Sequence, residues 1–291
     1  MMASTTITRL FAHRLTCDAA GRFVEESDGS AFDAAAYSRM KYGDADAARR
    51  FGKVLAEVLL TASPDVLFDG EPTDFLVAYK AVPPASHYLS QYCLDDINAR
   101  RVAARREPGR ILHVYKTRVA ASNYAAASQE ARQHELDAIS FTLEGRPLRG
   151  KHLVLVDDVR ITGLAERKIL EILIPAAPHR LTLLYLAGFR ENVTPQTESV
   201  LNDTAVGGLA EIAAFIRTDR FDLNIRTLKR ILSAPPEELA DFLALLSARM
   251  LEQLLRGALA TGTEFVTRYD AGCQILRAAW RNKTEAADHA L

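Results

Sequence analysis

Two adjacent carboxylates follow a run of apolar residues in the segment Lys151–Lys168, KHLVLVDDVRITGLAERK. Asp157 and Asp158 end the run, and Thr162 and Gly163 lie in the turn before the next helix-forming residues. In an open α/β sheet, ligands bind at the carboxyl ends of strands, where the following helix N-terminus attracts anions. Carboxylates accept hydrogen bonds from hydroxyl groups, and loop N–H groups donate to phosphate. The spacing therefore predicts a site for a ligand with both groups, such as a ribose 5-phosphate.

The elements that must position this turn are four apolar runs between about Asp74 and Arg190. They read DFLVAY, ILHVY, HLVLVD and LTLLYLAGF, and longer amphipathic segments separate them. Strands that are apolar almost throughout are typical of a parallel sheet covered by helices on both faces. The intervening segments can supply right-handed crossovers. We therefore predict an α/β fold with an open, twisted, mainly parallel sheet and helices on both faces.

Helical periodicity flanks these strands on both sides. We predict three parts: an N-terminal lead-in over 1–70, the α/β core over 71–190 and a helical C-terminal subdomain over 191–291. In the lead-in, residues 44–61 carry an apolar stripe that predicts one amphipathic helix. The stripe consists of Phe51, Val54, Leu55, Val58 and Leu59.

The C-terminal part contains one segment with an unusually broad apolar surface. Residues 235–255 begin with two prolines and two glutamates, which is a helix-start pattern. Their leucines, with Phe242 and Met250, cover more than one helical face. We predict a single helix buried on several sides, packed on the sheet or in a homodimer.

Composition excludes several classes of protein. With 36 Lys and Arg against 37 Asp and Glu, the chain has no net field that would hold a nucleic acid. Its three cysteines form no CxxC, which argues against a disulfide framework and against a zinc site. No run approaches the roughly 18 apolar residues of a membrane span, and the N-terminus lacks the apolar centre of a signal peptide. We therefore expect a cytoplasmic protein that binds neither nucleic acid nor membrane.

The run LVLVDDVRITGLA resembles the phosphoribosyl-diphosphate (PRPP) loop of type I phosphoribosyltransferases. That loop usually has a hydrophobic strand, two acids, two apolar residues and a Thr-Thr-Gly-x-Thr-like turn, and Asp157, Asp158, Thr162 and Gly163 match it. The resemblance implies that the two aspartates hold the ribose hydroxyls. They would meet Mg²⁺ only indirectly, through the magnesium bound to PRPP.

Three residues depart from the family pattern in this loop. Arg160 stands where an apolar residue is usual, Ile161 where a small hydroxyl residue is usual, and Ala165 replaces the final Ser or Thr. The last two changes remove hydroxyl donors to phosphate, and Arg160 either offsets part of that loss or points to solvent. The resemblance still implies that the 5-phosphate binds to Arg160, Ile161, Thr162, Gly163, Leu164 and Ala165.

Two further segments match the family in order and spacing alone. Lys80 and Ala81 follow the strand DFLVAY, where the family places its short diphosphate-binding loop. Lys116 and Arg118 follow ILHVY at the start of a stretch of small residues positioned like the family's mobile catalytic loop, with Tyr124 further along it. The resemblance implies that these groups grip the diphosphate and close over the substrate, although strand-end charges can also serve only solubility.

The sequence DDVRITG and the segment YSRMKYGD over 37–44 are similar to segments of the divergent ComF-like phosphoribosyltransferases. Those proteins are associated with tellurium-resistance and stress gene clusters. The implied activity is a pentosyltransferase of nucleotide metabolism. It would transfer the ribose 5-phosphate of PRPP to or from a nitrogenous base, with Mg²⁺ as cofactor. The base or nucleotide is unknown, and Tyr37, Lys41 and Tyr42 are candidates to contact it or merely packing residues.

Two other functions remain open at this stage. Some relatives use the same pocket to sense PRPP without turnover, and the residues Ile161 and Ala165 keep that alternative alive. A phosphoacceptor receiver domain also has a strand that ends in an acid pair. It would require a later strand that ends in the acceptor Asp, and the segment before Asp203, ESVLN, is not a convincing strand.

Overall fold

The computed structural model describes residues 5–79, 81–116, 141–143, 148–189, 194, 196–218 and 220–288. Seven strands lie within these ranges. They are β1 (Thr6–Cys17), β2 (Phe23–Glu25), β3 (Asp74–Tyr79), β4 (Ile111–Lys116), β5 (Phe141–Leu143), β6 (His152–Arg160) and β7 (Arg180–Phe189).

Twelve helices accompany the strands in the same ranges. They are α1 (Ala34–Lys41), α2 (Ala45–Ala62), α3 (Asp65–Phe68), α4 (Ala85–Ala103), α5 (Leu164–Leu173), α6 (Gln196–Asn202), α7 (Leu209–Ile216), α8 (Ile225–Leu232), α9 (Pro236–Ala244), α10 (Ala248–Thr261), α11 (Thr263–Arg268) and α12 (Asp270–Asp288). None of the helices in the described part of the chain is long and apolar enough to cross a membrane.

The strands form one sheet in the order β2-β1-β7-β6-β3-β4-β5. The five inner strands, from β1 to β4 in that order, pair in parallel, and the edge strands β2 and β5 pair antiparallel. The four strands predicted from apolar runs are β3, β4, β6 and β7. Their parallel pairing confirms the predicted α/β fold class.

Helices cover both faces of the sheet, as predicted. One core cluster contains Val154 and Val156 of β6 and joins them to residues of α2 and α4, such as Leu55 and Leu89. The alternate residues of β6 belong to a second cluster on the opposite face, where Ile169 and Leu173 of α5 pack. Because neighbouring strand residues point to opposite faces, residues 153–156 of β6 alternate between the α1–α2–α4 side and the α5 side.

The N-terminal strand β1 was not predicted. It pairs in parallel with β7 from Thr6 opposite Arg180 to Leu15 opposite Phe189, so segment 1–70 contributes to the sheet. Its sequence, TITRLFAHRLTC, mixes basic and apolar residues. Such a strand lacks the continuous apolar run that identified the other four. The same segment also contains three helices, of which only α2 was predicted.

The C-terminal helices enclose a core of their own, which includes Leu228, Leu243 and Leu254. The single helix predicted over 235–255 is wrong, because the chain forms α9 and α10 with a break at Leu245–Ser247. The Ser247 side chain accepts a hydrogen bond from the Met250 N–H at 3.2 Å and begins α10 as its N-cap. Leu245, one of the leucines assigned to the buried surface, is 53% exposed.

His152, the first residue of β6, is held as a neutral ring. Its Nδ1 faces the Arg180 guanidinium at 2.9 Å, and its Nε2 lies 2.9 Å from the Thr182 hydroxyl. An arginine can only donate, so Nδ1 accepts and Nε2 carries the proton. Burial, with the neighbouring Arg180 charge, lowers the pKa of His152 from 6.5 to about 4.

This pKa predicts a loss of stability in mild acid. Below pH 6.5 the unfolded chain binds a proton that the folded chain refuses until about pH 4, so the free energy of unfolding falls across that range. Between pH 7 and pH 5, His152 should account for a loss on the order of 2 kcal/mol. Urea unfolding at the two pH values measures it. His152→Gln should reduce the difference, whereas His179→Gln should leave most of it in place, because burial and Arg180 lower the pKa of His152 more than His179 does.

Candidate functional site

The acid pair lies near the carboxyl end of β6, as predicted. Asp158 continues the row of Val154 and Val156 toward α1, where Lys41 reaches it. Asp158 is buried, whereas Asp157 is half-buried. The two aspartates are therefore not equivalent groups.

Asp158 is paired with a lysine that lies 117 residues earlier in the chain. Lys41, the last residue of α1, places its ammonium on Oδ2 of Asp158, and both side chains are only 9% exposed. Oδ1 of Asp158 accepts the N–H of Val159 at 2.9 Å. Each carboxylate oxygen of Asp158 therefore already has a protein donor.

The electrostatic environment of Lys41 combines burial with charges from several elements. Burial lowers the pKa of Lys41 to about 8, and the Arg226 guanidinium of α8 adds to the effect. The acids Glu198, Asp157 and Asp203 oppose it. The Lys41 ammonium thus lies within reach of charges carried by β6, by α6 and the residue after it, and by α8.

Helix α1 is fixed over the end of β6 by hydrogen bonds to its neighbours. The Ser38 hydroxyl donates to the Asn202 carbonyl of α6 at 2.6 Å. Asn224 Nδ2, at the N-cap of α8, donates to the carbonyl of Lys41 at 3.2 Å. The Thr227 hydroxyl donates to the Tyr42 carbonyl at 2.8 Å. Helix α1 is thus joined to the sheet through Lys41 and to the C-terminal helices through its last carbonyls.

Two tyrosines named from the sequence lie beside Lys41. Tyr37 is fully buried one helical turn before Lys41, and burial raises its pKa well above the usual value. Its hydroxyl has no hydrogen-bond partner among the described residues. The Tyr42 hydroxyl donates to Oδ1 of Asp203 at 2.6 Å. Of the three candidates for base contact, Lys41 is the one that reaches the acid pair.

The turn after β6 has the backbone that an anion loop requires. Gly163 adopts a left-handed conformation with φ of +70° and directly precedes α5. The Arg160 guanidinium lies against it, so that a Cβ at this position would be 2.6 Å from Nη2 of Arg160. Glycine is favoured here by its left-handed conformation, and a Cβ would also displace the end of the Arg160 side chain.

The buried carboxylate of Glu166, in the first turn of α5, organises a cluster of charges beside this loop. It accepts hydrogen bonds from Nε of Arg9 at 2.9 Å, Nε of Arg160 at 2.8 Å and the Tyr185 hydroxyl at 2.9 Å. Burial favours the neutral acid, but these donors outweigh it and lower the pKa of Glu166. Two guanidinium groups against one carboxylate leave one net positive charge next to Gly163.

Sequence reasoning missed Arg9, Glu166 and Tyr185, and it left Arg160 between two alternatives. The structure pairs Arg160 with Glu166, and its side chain is 30% exposed. Arg9 and Glu166 are 157 residues apart in the chain, so no local pattern could have joined them. The Arg-x₅-Glu spacing from Arg160 to Glu166 was the only available signal.

The other predicted loop residues occupy different environments. Thr162 is exposed, Leu164 is buried, and Ala165 is half-buried in the first turn of α5. Ile161 packs against the core on the α1 side of the sheet instead of facing the loop. The hydroxyl of Thr162 is therefore the accessible side-chain donor among these residues.

The residues predicted to grip diphosphate are described only in part. Ala81 is half-buried two residues after the end of β3. Lys116 ends β4, where its backbone pairs with Phe141 of β5. The side chain of Lys116 and the whole of Lys80, Arg118 and Tyr124 lie outside the described residues.

The described residues do not by themselves form a resident magnesium site. No group of three or more His, Cys, Asp or Glu side chains in these ranges is arranged to hold a metal ion. Asp158 is also bonded to Lys41.

Comparison with known proteins identifies the family. A family model described as PRTase ComF-like matches residues 22–276, which is most of the chain. The chain therefore belongs to the ComF-like phosphoribosyltransferase family, and the resemblance drawn from the acid-pair loop is confirmed. Membership supports a phosphoribosyltransferase-like function.

Solved structures similar to the chain include the hypoxanthine phosphoribosyltransferase of Staphylococcus aureus. It is 14% identical, with a TM-score of 0.32, and the match covers 50% of this chain and 68% of that one. The Trypanosoma cruzi hypoxanthine phosphoribosyltransferase in complex with IMP is 13% identical, with coverages of 52% and 74% and a TM-score of 0.31. The hypoxanthine-guanine phosphoribosyltransferase of L. donovani is 12% identical, with coverages of 55% and 77% and a TM-score of 0.33. No curated protein matches the chain.

The contact between Arg160 and Gly163 generates a stability prediction. Gly163→Ala should cost about 1 kcal/mol for its left-handed backbone and a further amount for displacing Arg160 from Glu166. Gly150 has a similar φ of +76°, and a Cβ added there would meet no atom within 4 Å, so Gly150→Ala isolates the cost of the backbone conformation. Urea unfolding measures both variants. Equal losses would show that Arg160 is not held against the loop.

Proposed function

We propose that the protein transfers the ribose 5-phosphate of PRPP to a nitrogenous base with release of diphosphate, or catalyses the reverse reaction. The observation that carries the proposal is the order of groups at the end of β6. An acid pair that can accept hydroxyl hydrogen bonds is followed at once by a left-handed glycine turn beside a net positive cluster. This order suits a ligand with a ribose and a phosphate.

In this scheme the acid pair binds the ribose hydroxyls, and the turn from Arg160 to Ala165 binds the 5-phosphate. The cluster of Arg9, Arg160 and Glu166 offsets the hydroxyl donors that the loop lacks, because its net charge favours an anion. Lys80 and Ala81 would contact the diphosphate, and Lys116, Arg118 and Tyr124 would act from the following loop. Magnesium would arrive with PRPP as part of the substrate.

The reaction needs positioning more than it needs a covalent nucleophile. The bond from the anomeric carbon to diphosphate breaks, the leaving group takes the electron pair, and a nitrogen of the base forms the new bond and loses its proton. Positive charge develops on the sugar ring as the bond breaks. Residues that fix the two reactants and stabilise the departing diphosphate therefore supply the acceleration.

A second candidate function is PRPP sensing without turnover on the same fold. Two observations favour it: Asp158 is already bonded to Lys41, and Ile161 packs into the core where the family has a hydroxyl donor. A sensor needs the pocket to bind PRPP, but it does not need a base to bind next to it.

We propose that the protein acts in the cytoplasm on small molecules and that it serves a tellurium-resistance or stress gene cluster. We also propose that its C-terminal helices support a homodimer. The three parts 1–70, 71–190 and 191–291 are proposed as its organisation. Size-exclusion chromatography with light scattering tests the dimer directly.

Binding of PRPP is the first test of the proposed function. Calorimetry should show PRPP binding that depends on magnesium, disappears with EDTA and is tighter than binding of ribose 5-phosphate. Asp157→Asn should weaken it by more than about 100-fold because a charged acceptor to the ribose is lost. The control Asp241→Asn removes an exposed acid of α9 and should bind normally. Absence of PRPP binding to the wild type would contradict the proposal.

Turnover separates the enzyme from the sensor. With magnesium and PRPP, the wild type should release diphosphate in the presence of at least one base from a panel of purines and pyrimidines. With that base, Asp157→Asn should release diphosphate more slowly than the wild type. Release of diphosphate can be followed with a coupled phosphatase assay. Tight PRPP binding without release in the presence of any base would favour the sensor.

A further inference from the structure

We propose that Lys41 is a positioning residue of the acid-pair site, which holds α1 over the end of β6 through Asp158 and leaves Asp157 as the carboxylate that meets the ribose. The inference rests on the proposed function, and it divides the labour within an acid pair that the sequence treats as one unit. Its basis is the different position of each aspartate and the way α1 is fixed.

The two carboxylates of the acid pair differ in accessibility. Asp158 lies on the α1 side of the sheet with a side chain that is 9% exposed, and its oxygens accept from Lys41 and from the Val159 N–H. Little of Asp158 is therefore accessible to a ligand hydroxyl. Asp157 is half-buried, and its Oδ1 accepts the Asp158 N–H at 3.0 Å. A ribose whose phosphate lies in the turn after β6 therefore meets Asp157 as the more accessible carboxylate.

The Lys41–Asp158 pair attaches α1 to the end of β6. Lys41 connects α1 to both the sheet and the C-terminal helices. Its ammonium binds Asp158 of β6, and its carbonyl accepts a hydrogen bond from Asn224. Tyr37 lies one turn earlier on the same helix, with its ring centroid 5.9 Å from the Lys41 ammonium. The Lys41–Asp158 pair therefore fixes the distance between α1 and the end of β6. It thereby also fixes the position of Tyr37 relative to the two aspartates.

The buried charges of Lys41 and Asp158 depend on each other for stability. A buried charge that loses its counter-charge is strongly destabilising, whereas replacement of both members of a pair by neutral groups is often tolerated. Lys41→Met leaves Asp158 charged and buried, and Asp158→Asn does the same to Lys41. The double variant Lys41→Met/Asp158→Asn leaves neither charge. It should therefore unfold at a higher urea concentration than either single variant.

The test measures urea unfolding and calorimetric PRPP binding with magnesium for wild type, both single variants and the double variant. We expect each single variant to bind PRPP about tenfold more weakly, and the double variant to lie within about threefold of the singles, because the two residues act as one unit. Asp157→Asn should lose binding with little change in unfolding. Lys53→Met, at an exposed position of α2, is the matched control and should change neither.

The opposite result has a distinct signature. If Asp158 itself binds the ribose and Lys41 merely blocks it, Lys41→Met should bind PRPP at least as tightly as wild type, and Asp158→Asn should lose as much binding as Asp157→Asn. Either outcome overturns the inference while leaving the proposed function in place. If the single variants do not fold, wild-type affinity in the double variant overturns it. A wild type that does not bind PRPP overturns both.

Discussion

In a parallel sheet the hydrogen bonds between strands fix where every strand ends, and β6 lies between β3 and β7 with such bonds on both sides. The register places Asp157 opposite Tyr185 of β7. Because of that placement, the Tyr185 hydroxyl can reach Glu166 across the start of α5. The acid pair, the turn and the helix that follows thus inherit their positions from backbone pairing rather than from side-chain contacts.

The site at the end of β6 contains two buried acids, and each of them is paired with a basic residue from a distant part of the chain. Glu166 gathers Arg9 and Arg160 on one face of the sheet, and Asp158 binds Lys41 on the other. Buried acids are stable only with such partners. The sheet edge therefore presents one half-buried carboxylate, Asp157, between two neutralised or net positive regions. In the proposed function, this asymmetry would let one short segment bind the hydroxyl groups and the phosphate of one ligand.

The sequence predicted what local patterns encode and missed what long-range contacts decide. Apolar runs identified four strands, and the acid-pair turn identified the family, since both signals lie within about ten residues. Strand β1 escaped because basic residues interrupt its pattern, and the break at Ser247 was hidden by continuous leucines. The pairing of Arg9 with Glu166 and of Lys41 with Asp158 could not be found, because 157 and 117 residues separate the partners in the chain. The periodicity of apolar residues contains no information about such long-range contacts.

The attachment of α1 to α8 also bears on how the protein can be divided. The carbonyls of Lys41 and Tyr42 accept hydrogen bonds from Asn224 and Thr227, and Val82, just after β3, belongs to the C-terminal core. A fragment that stops after β7 would leave those carbonyls without their donors and expose an apolar surface at the strand end. The helical part therefore supports the site together with the sheet, and the smallest fragment that keeps the site intact extends beyond the α/β sheet.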